Sequence, residues 1–206
     1  MMKRSIAALA AALLAAGAPQ VHAAYPDKPV TMVVPFPPGG STDMIARTLA
    51  AKLQERLGQT FVVDNRAGAT GTIGAGQVKR AAPDGYTLLV ASLGPYVIAP
   101  HLIKSMPYDA TRDFDLLTVA VQAPNVLVVP AASPLKSVAD VLAQARKTPD
   151  KLTFASSGNG SSDHLTAALF WQQTGTTAVH VPYKGGAPAI TDLLAGVVDA
   201  SFQNIN

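Results

Sequence analysis

Three segments of this chain combine glycine, small hydroxyl side chains and a neighbouring acid or base in a way that suits holding a negatively charged group. The first is Phe36-Pro37-Pro38-Gly39-Gly40-Ser41-Thr42-Asp43. The prolines stiffen it, and Gly39 and Gly40 let backbone approach a ligand with no side chain in the way. Ser41 or Thr42 can cap a following helix, whose first N–H groups then sit at the positive end of the helix dipole, a ready site for a carboxylate or phosphate. The charge of Asp43 competes with an anion, so Asp43 either caps the helix or receives a ligand amine or hydroxyl. The second segment is Ser156-Ser157-Gly158-Asn159-Gly160-Ser161-Ser162-Asp163-His164, with the same supply of small hydroxyls and glycines ahead of a helix. The third, His180-Val181-Pro182-Tyr183-Lys184-Gly185-Gly186-Ala187-Pro188, offers the Tyr183 hydroxyl and the Lys184 charge, each either a ligand contact or a solvated loop group. A further glycine-rich stretch runs from Asn65 to Gly71. Its Arg66 can pair with Asp64 or Asp84 in place of a ligand. Ordinary turns with helix caps are the competing reading of each loop taken singly. Two such loops, each at the end of a strand, favour binding, because open α/β sheets place their ligands there.

Catalytic and metal-binding readings fare worse. Ser161, Asp163 and His164 are the residue types of nucleophilic catalysis, but neighbours on one helix cannot form a triad, and the chain has no G-x-S-x-G elbow. Gly71-Thr72-Ile73-Gly74-Ala75-Gly76 has the wrong glycine spacing for a dinucleotide loop. The four His show no metal-ligand spacing, and His164 and His180 read more readily as structural. Glu55 is the only Glu, so no pair of glutamates is at hand for acid–base work. Neither a metal nor a cofactor is called for.

The elements that must carry these loops alternate. Val30–Pro35 reads as a buried strand, and Asp43–Leu57 as a helix with Ile45, Leu49, Leu53 and Leu57 on one face and Gly58 as its stop. Phe61–Asp64 is a strand, Gly74–Arg80 a short helix, and Tyr86–Ala91 a strand after the Pro83-Asp84-Gly85 turn. This order implies a parallel sheet covered by helices. The pattern restarts near Pro124-Asn125. Strands are expected at Val126–Val129, Leu152–Ala155, Ala178–Val181 and Val197–Phe202, and helices at Ser137–Arg146, Asp163–Gln173 and Pro188–Ala195. Ser137 and Asp140 match a capping-box spacing. The expected organisation is residues 1–23 as a leader, 24–123 as a first α/β lobe and 124–206 as a second, incomplete one.

Composition narrows the class. Met1-Met2-Lys3-Arg4, the apolar run Ile6–Ala16 and Val21-His22-Ala23 have the order of a secretory signal peptide cleaved after Ala23. The run is shorter than the roughly 20 residues a membrane span needs. With no Cys the chain has no lipoprotein anchor, disulfide or Cys-zinc site. The residues are 49% hydrophobic and 14% charged, enough for a packed core. Net charge is +3, of which Lys3 and Arg4 supply two, and no basic cluster suggests nucleic acid.

Taken together, Tyr25-Pro26 through Lys28-Pro29, Val33 through Asp43, Leu57-Gly58-Gln59, Val63 through Arg66, Gly68-Ala69, Pro83 through Leu89 and Val181 through Gly186 resemble the Bug family of periplasmic receptors, the binding components of tripartite tricarboxylate transporters. The resemblance covers essentially all of Tyr25–Asn206. It implies a two-lobed, periplasmic-binding-protein type II-like α/β fold (a Venus flytrap) that closes on a small carboxylate or related solute without catalysing a reaction. It implies ligand contacts from Phe36, Pro38, Gly39, Gly40, Ser41, Thr42 and Asp43, from Ala69 and Thr70 in the Gly68–Gly71 loop, from Ser92, and from Ser156, Ser157, Gly158, Asn159, Gly160 and Ser161. His164, Tyr183 and Lys184 complete the candidate set. It also implies a periplasmic location and a membrane permease as partner. The chain differs from the family pattern in stopping before the second lobe returns to the first, which suggests a truncated product, and in having Asp64 where Glu is expected. The competing functions are a ligand-sensing module for a membrane sensor kinase and, behind it, a hydrolase using Ser157 or Ser161.

Overall fold

A computed structural model describes residues 25–205. The leader expected over residues 1–23 lies outside the described residues. The first strand, β1 (Val30–Val34), is a β-branched run buried along almost its whole length, as suits a strand covered on both faces. It pairs in parallel with β2 (Phe61–Asn65) on one side and β3 (Thr87–Leu89) on the other, giving the order β2-β1-β3. Between β1 and β2 runs helix α1 (Ser41–Leu57), stopped by Gly58 in the left-handed conformation that glycine adopts without penalty. Val30, Met32, Ala50 and Phe61 form the buried centre, flanked by Leu49, Leu53 and Leu88.

Helix α2 (Thr72–Lys79) follows β2. After β3 come a π-helical turn, Gly94–Ile98, and a single-turn helix α3 (Ala99–Leu102). Neither was expected from the sequence, because a Gly-Pro start and five residues give no periodicity to read. β3 is shorter than the expected Tyr86–Ala91 strand: it has one partner, β1, and their pairing covers three residues. Residues 103–124 carry turns but no helix or strand.

The second sheet contains β4 (Asn125–Val128), β5 (Thr153–Ser156), β6 (Val179–Pro182) and β7 (Ala200–Asn204) in the order β4-β7-β5-β6. β5 pairs in parallel with β6 and β7, but β4 runs antiparallel to β7, so this sheet is mixed and not purely parallel as expected. Helices α4 (Val138–Lys147), α5 (Ser162–Thr174) and α6 (Gly186–Leu194) cover it. Strand alternation assigns the faces. Phe154 packs with Val141, Ala145, Ala167 and Phe202, and its neighbour Ala155 packs oppositely with Ala189, Leu193 and Val198. Burying a side chain such as Phe154, 1% exposed, contributes about 1.5–3 kcal/mol. The Ser137 cap of the expected box forms: Ser137 Oγ accepts from the Asp140 N–H at 3.1 Å and donates to the Asp140 carboxylate at 2.9 Å, and that carboxylate also accepts from the Lys136 N–H at 2.9 Å. Among the described residues no helix is long and apolar enough to cross a membrane.

Candidate functional site

Every candidate loop leaves the C-terminal end of a parallel strand: Phe36–Gly40 after β1, Arg66–Gly71 after β2, the Ser92 segment after β3, Ser157–Ser161 after β5, and Tyr183–Gly185 after β6. This common edge follows from βαβ connectivity, in which each strand hands the chain to a helix at the same end of the sheet.

The β1 loop is held from below. Asp43, 3% exposed, accepts from the Gly39 N–H at 3.0 Å, from Arg47 Nε at 3.0 Å and from Asn65 Nδ2 at 2.9 Å. Asn65 also donates to the Phe36 carbonyl at 3.1 Å and accepts from Arg47 Nη2 at 3.1 Å. Burial alone would raise the Asp43 pKa. The hydrogen bonds from Arg47, Gly39 and Asn65 outweigh it and hold the carboxyl below its ordinary value. Asp43 is therefore occupied within its own loop. Gly40 is the N-cap of α1 and provides no side-chain cap, so the first-turn amides at Ser41, Thr42 and Asp43 have neither an intrahelical acceptor nor a capping side chain.

Helix α6 begins in the same manner. Its N-cap is Gly185, again without a side-chain cap. The two bare helix starts meet: a Cβ placed on Gly39 would lie 3.3 Å from Ala187 Cβ, one on Gly40 4.0 Å from the Gly186 nitrogen, and one on Gly185 3.2 Å from Pro37 Cγ. The β1 loop thus faces the Tyr183–Ala187 loop. Lys184 is exposed, and Tyr183 donates its hydroxyl to Asp192 at 2.6 Å, tying the loop to α6.

The Ser156–Ser161 loop faces a different part of the first unit. Gly160 abuts Leu102, Thr70 and Ile98, and Thr70 Oγ1 donates to the Asn159 carbonyl at 3.3 Å. On the Thr70 side, Gly68, Ala69, Thr70 and Gly71 all have positive φ (134, 46, 56 and 89°). For Ala69 and Thr70 this left-handed backbone costs roughly 1–2 kcal/mol each, a concentration of strain typical of functional loops. Ser92 is exposed just ahead of the π-helical turn.

Within its own loop, Asp163 repeats the device seen at Asp43. It is 6% exposed and accepts from the Ser157 N–H at 2.6 Å and the Ser157 hydroxyl at 2.8 Å. Ser161 caps α5 by accepting from the His164 N–H at 3.3 Å. His164 Nδ1 accepts from the Gly160 N–H at 3.0 Å. Ser156 is buried beneath the loop and sits 2.6 Å from His180 Nε2. Sequence reasoning missed Asn65 and Arg47 as supports and Ile98 and Leu102 as facing surface. An Asn closing a strand beside a glycine-rich loop was the one available signal. Of the two partners weighed for Arg66, Asp64 is the one it takes, at 2.9 Å.

An α/β chain with two such sheets, each directing amide-rich turns at the other, belongs by fold to the two-lobed periplasmic binding proteins, several of which it resembles in structure. Residues 45–205 match the tripartite tricarboxylate transporter family receptor (TctC), and the chain belongs to that family. It is 42% identical over 207 residues to the protein BugT of Bordetella pertussis, covering 99% of this chain and 64% of BugT. Among solved structures it is similar to Rhodopseudomonas palustris Rpa4515 with adipate (TM-score 0.84, 42% identity, 87% of this chain and 60% of that one). It is also similar to MatC (Rpa3494) from Rhodopseudomonas palustris with bound malate (TM-score 0.79, 33% identity, 87% and 61%). The chain spans between about half and two thirds of the length of the curated relatives it matches over most of its own length. The family is one of solute receptors and not of enzymes.

Proposed function

We propose that this protein is an extracytoplasmic receptor that holds one small carboxylate between its two α/β lobes and delivers it to a membrane permease of the tripartite tricarboxylate type. The observation that carries this reading is the apposition of two uncapped, glycine-led helix starts, α1 and α6, one from each sheet. Two positive dipole ends brought within a few ångströms repel each other, and a shared anion converts that repulsion into attraction from both sides. A micromolar solute needs about −8 kcal/mol, and charge-assisted hydrogen bonds supply roughly 1.5–3 kcal/mol each, so a few backbone amides suffice without a dedicated arginine. The proteins named with adipate and with malate carry dicarboxylates, which fits the same chemistry.

On this reading the lobes divide near residue 124, residues 1–23 are a leader cleaved after Ala23, and the solute contacts come from Phe36, Pro38, Gly39 and Gly40, the backbone amides of Ser41–Asp43, Ala69, Thr70, Ser92, Ser157–Ser161, Lys184 and the start of α6. Calorimetric titration with adipate, malate, amino acids and nicotinate-like aromatic acids tests it. The expected result is one site per chain, saturable by a carboxylate, with the solute recovered unchanged. No heat with any anion refutes it.

A further inference from the structure

The rings of His164 and His180 lie parallel, 10° between planes and 4.0 Å between centroids, directly beneath the Ser156–Ser161 loop. Each is tied to that loop by a ring nitrogen. His164 Nδ1 accepts from the Gly160 N–H at 3.0 Å, which fixes its proton on Nε2. His180 Nε2 sits 2.6 Å from Ser156 Oγ, which itself accepts from the Gly158 N–H at 3.2 Å. The two glycines held this way both have positive φ, 135° and 75°, so the loop backbone has little conformational preference of its own and depends on these ties. Gly160 is also the residue that abuts Thr70, Ile98 and Leu102 of the first unit.

We propose that the stacked His164–His180 pair positions the Gly158–Gly160 backbone in its neutral form, and that proton uptake by His164 releases the loop. A proton on Nδ1 would face the Gly160 N–H with a second donor, and the bond must break. A proton on His180 leaves its own tie in place, because Ser156 can turn its own hydrogen to the Gly158 carbonyl at 3.3 Å and accept from the ring. Two imidazolium rings 4.0 Å apart repel, so the pair takes up its first proton more readily than its second. Burial lowers both pKa values, and the neighbouring His164 lowers that of His180 further. Asp163, at the start of α5, is the charged side chain opposing this, and its carboxylate is shared with the Ser157 N–H and hydroxyl. The facing residues across the loop, Thr70, Ile98 and Leu102, are uncharged. A His with a depressed folded pKa stabilises its neutral contacts above its ordinary value of 6.5, and that contribution is lost as pH falls below it.

Only the consequence for solute affinity rests on the proposed binding site; the latch itself can be read without ligand. In an NMR titration of the 15N-labelled ligand-free chain, both imidazoles should titrate below 6.5, and the Gly160 amide should shift with the His164 midpoint. In His164→Asn, whose side-chain carbonyl can accept in place of Nδ1, the Gly160 amide should stop titrating and the His180 midpoint should rise. A His164 midpoint at or above 6.5, or a Gly160 amide indifferent to it, overturns the proposal. Adipate affinity measured from about pH 7.5 down to about pH 5.5 should fall about threefold or more beyond the fall seen in His164→Asn, which carries adipate's own protonation. Equal slopes also overturn it. Absence of adipate binding by the parent chain counts against the receptor reading, and the NMR titration then decides the latch alone.

Discussion

Replacing Asp43 with Ala removes the acceptor for three donors at once, and the structure sets the cost. The Arg47 side chain is 54% exposed and can turn to water, so its ion pair with Asp43 contributes no more than about 1 kcal/mol. The Gly39 N–H and Asn65 Nδ2 are less free, and each loses about 1–2 kcal/mol if left without a partner in a part-buried site. The expected loss is therefore about 3 kcal/mol for Asp43→Ala. For Asp43→Asn, which keeps one acceptor and turns an amide hydrogen towards Asn65 or Gly39, it is about 2 kcal/mol. Urea unfolding followed by circular dichroism gives the numbers. Hydrogen exchange at Gly39 and Gly40 shows whether the loss is local. Because the folded carboxyl lies below its ordinary value of 3.8, its contribution is complete above that value and disappears as pH falls through the lower folded one. The unfolding curves of the parent and of Asp43→Asn should thus converge in acid. A loss under about 0.5 kcal/mol at neutral pH, with exchange at Gly39 unchanged, would show that the loop does not depend on this carboxylate.

Three further outcomes are expected. Gly160→Ala places a Cβ 2.9 Å from Leu102 Cδ1 at a φ of +75° and should cost about 1–3 kcal/mol in urea unfolding. Ser137→Ala removes the acceptor of the Asp140 N–H and should lower stability by about 1 kcal/mol, with the helical circular-dichroism signal otherwise retained. Thr70→Val keeps the shape but not the hydroxyl that reaches the Asn159 carbonyl; it should leave urea stability within about 0.5 kcal/mol while speeding amide exchange in the Ser157–Ser161 loop.

The alternation of elements was legible because it rests on local signals. The Gly58 stop and the Ser137 cap correspond to features of the helices that form, whereas the Ile45–Leu57 face is shifted: Ala46 and Ala50 take the buried positions, Leu49 and Leu53 are half-buried and Leu57 is exposed. What stayed hidden depends on pairing at a distance. Nothing local in Asn125–Val128 says that it runs against Ala200–Asn204, since strand direction is set by the path of the intervening chain. The glycine loops were visible as types, but which loop meets which was not. The β1 loop meets Gly185–Ala187, and the Ser156–Ser161 loop meets Thr70 and Leu102. Asp43 and Asp163 looked like ambiguous charges ahead of helices, and only their burial shows that they fasten the turns preceding them.

The antiparallel pairing of β4 with β7 has a mechanical meaning. Asn125 lies opposite Asn204, their side chains joined at 2.9 Å, and the Ile205 N–H reaches the Pro124 carbonyl at 3.1 Å. The first and last strands of the second sheet therefore lie side by side. Everything between those strands forms a closed circuit whose ends touch, the arrangement found in inserted modules that can be excised or transplanted whole.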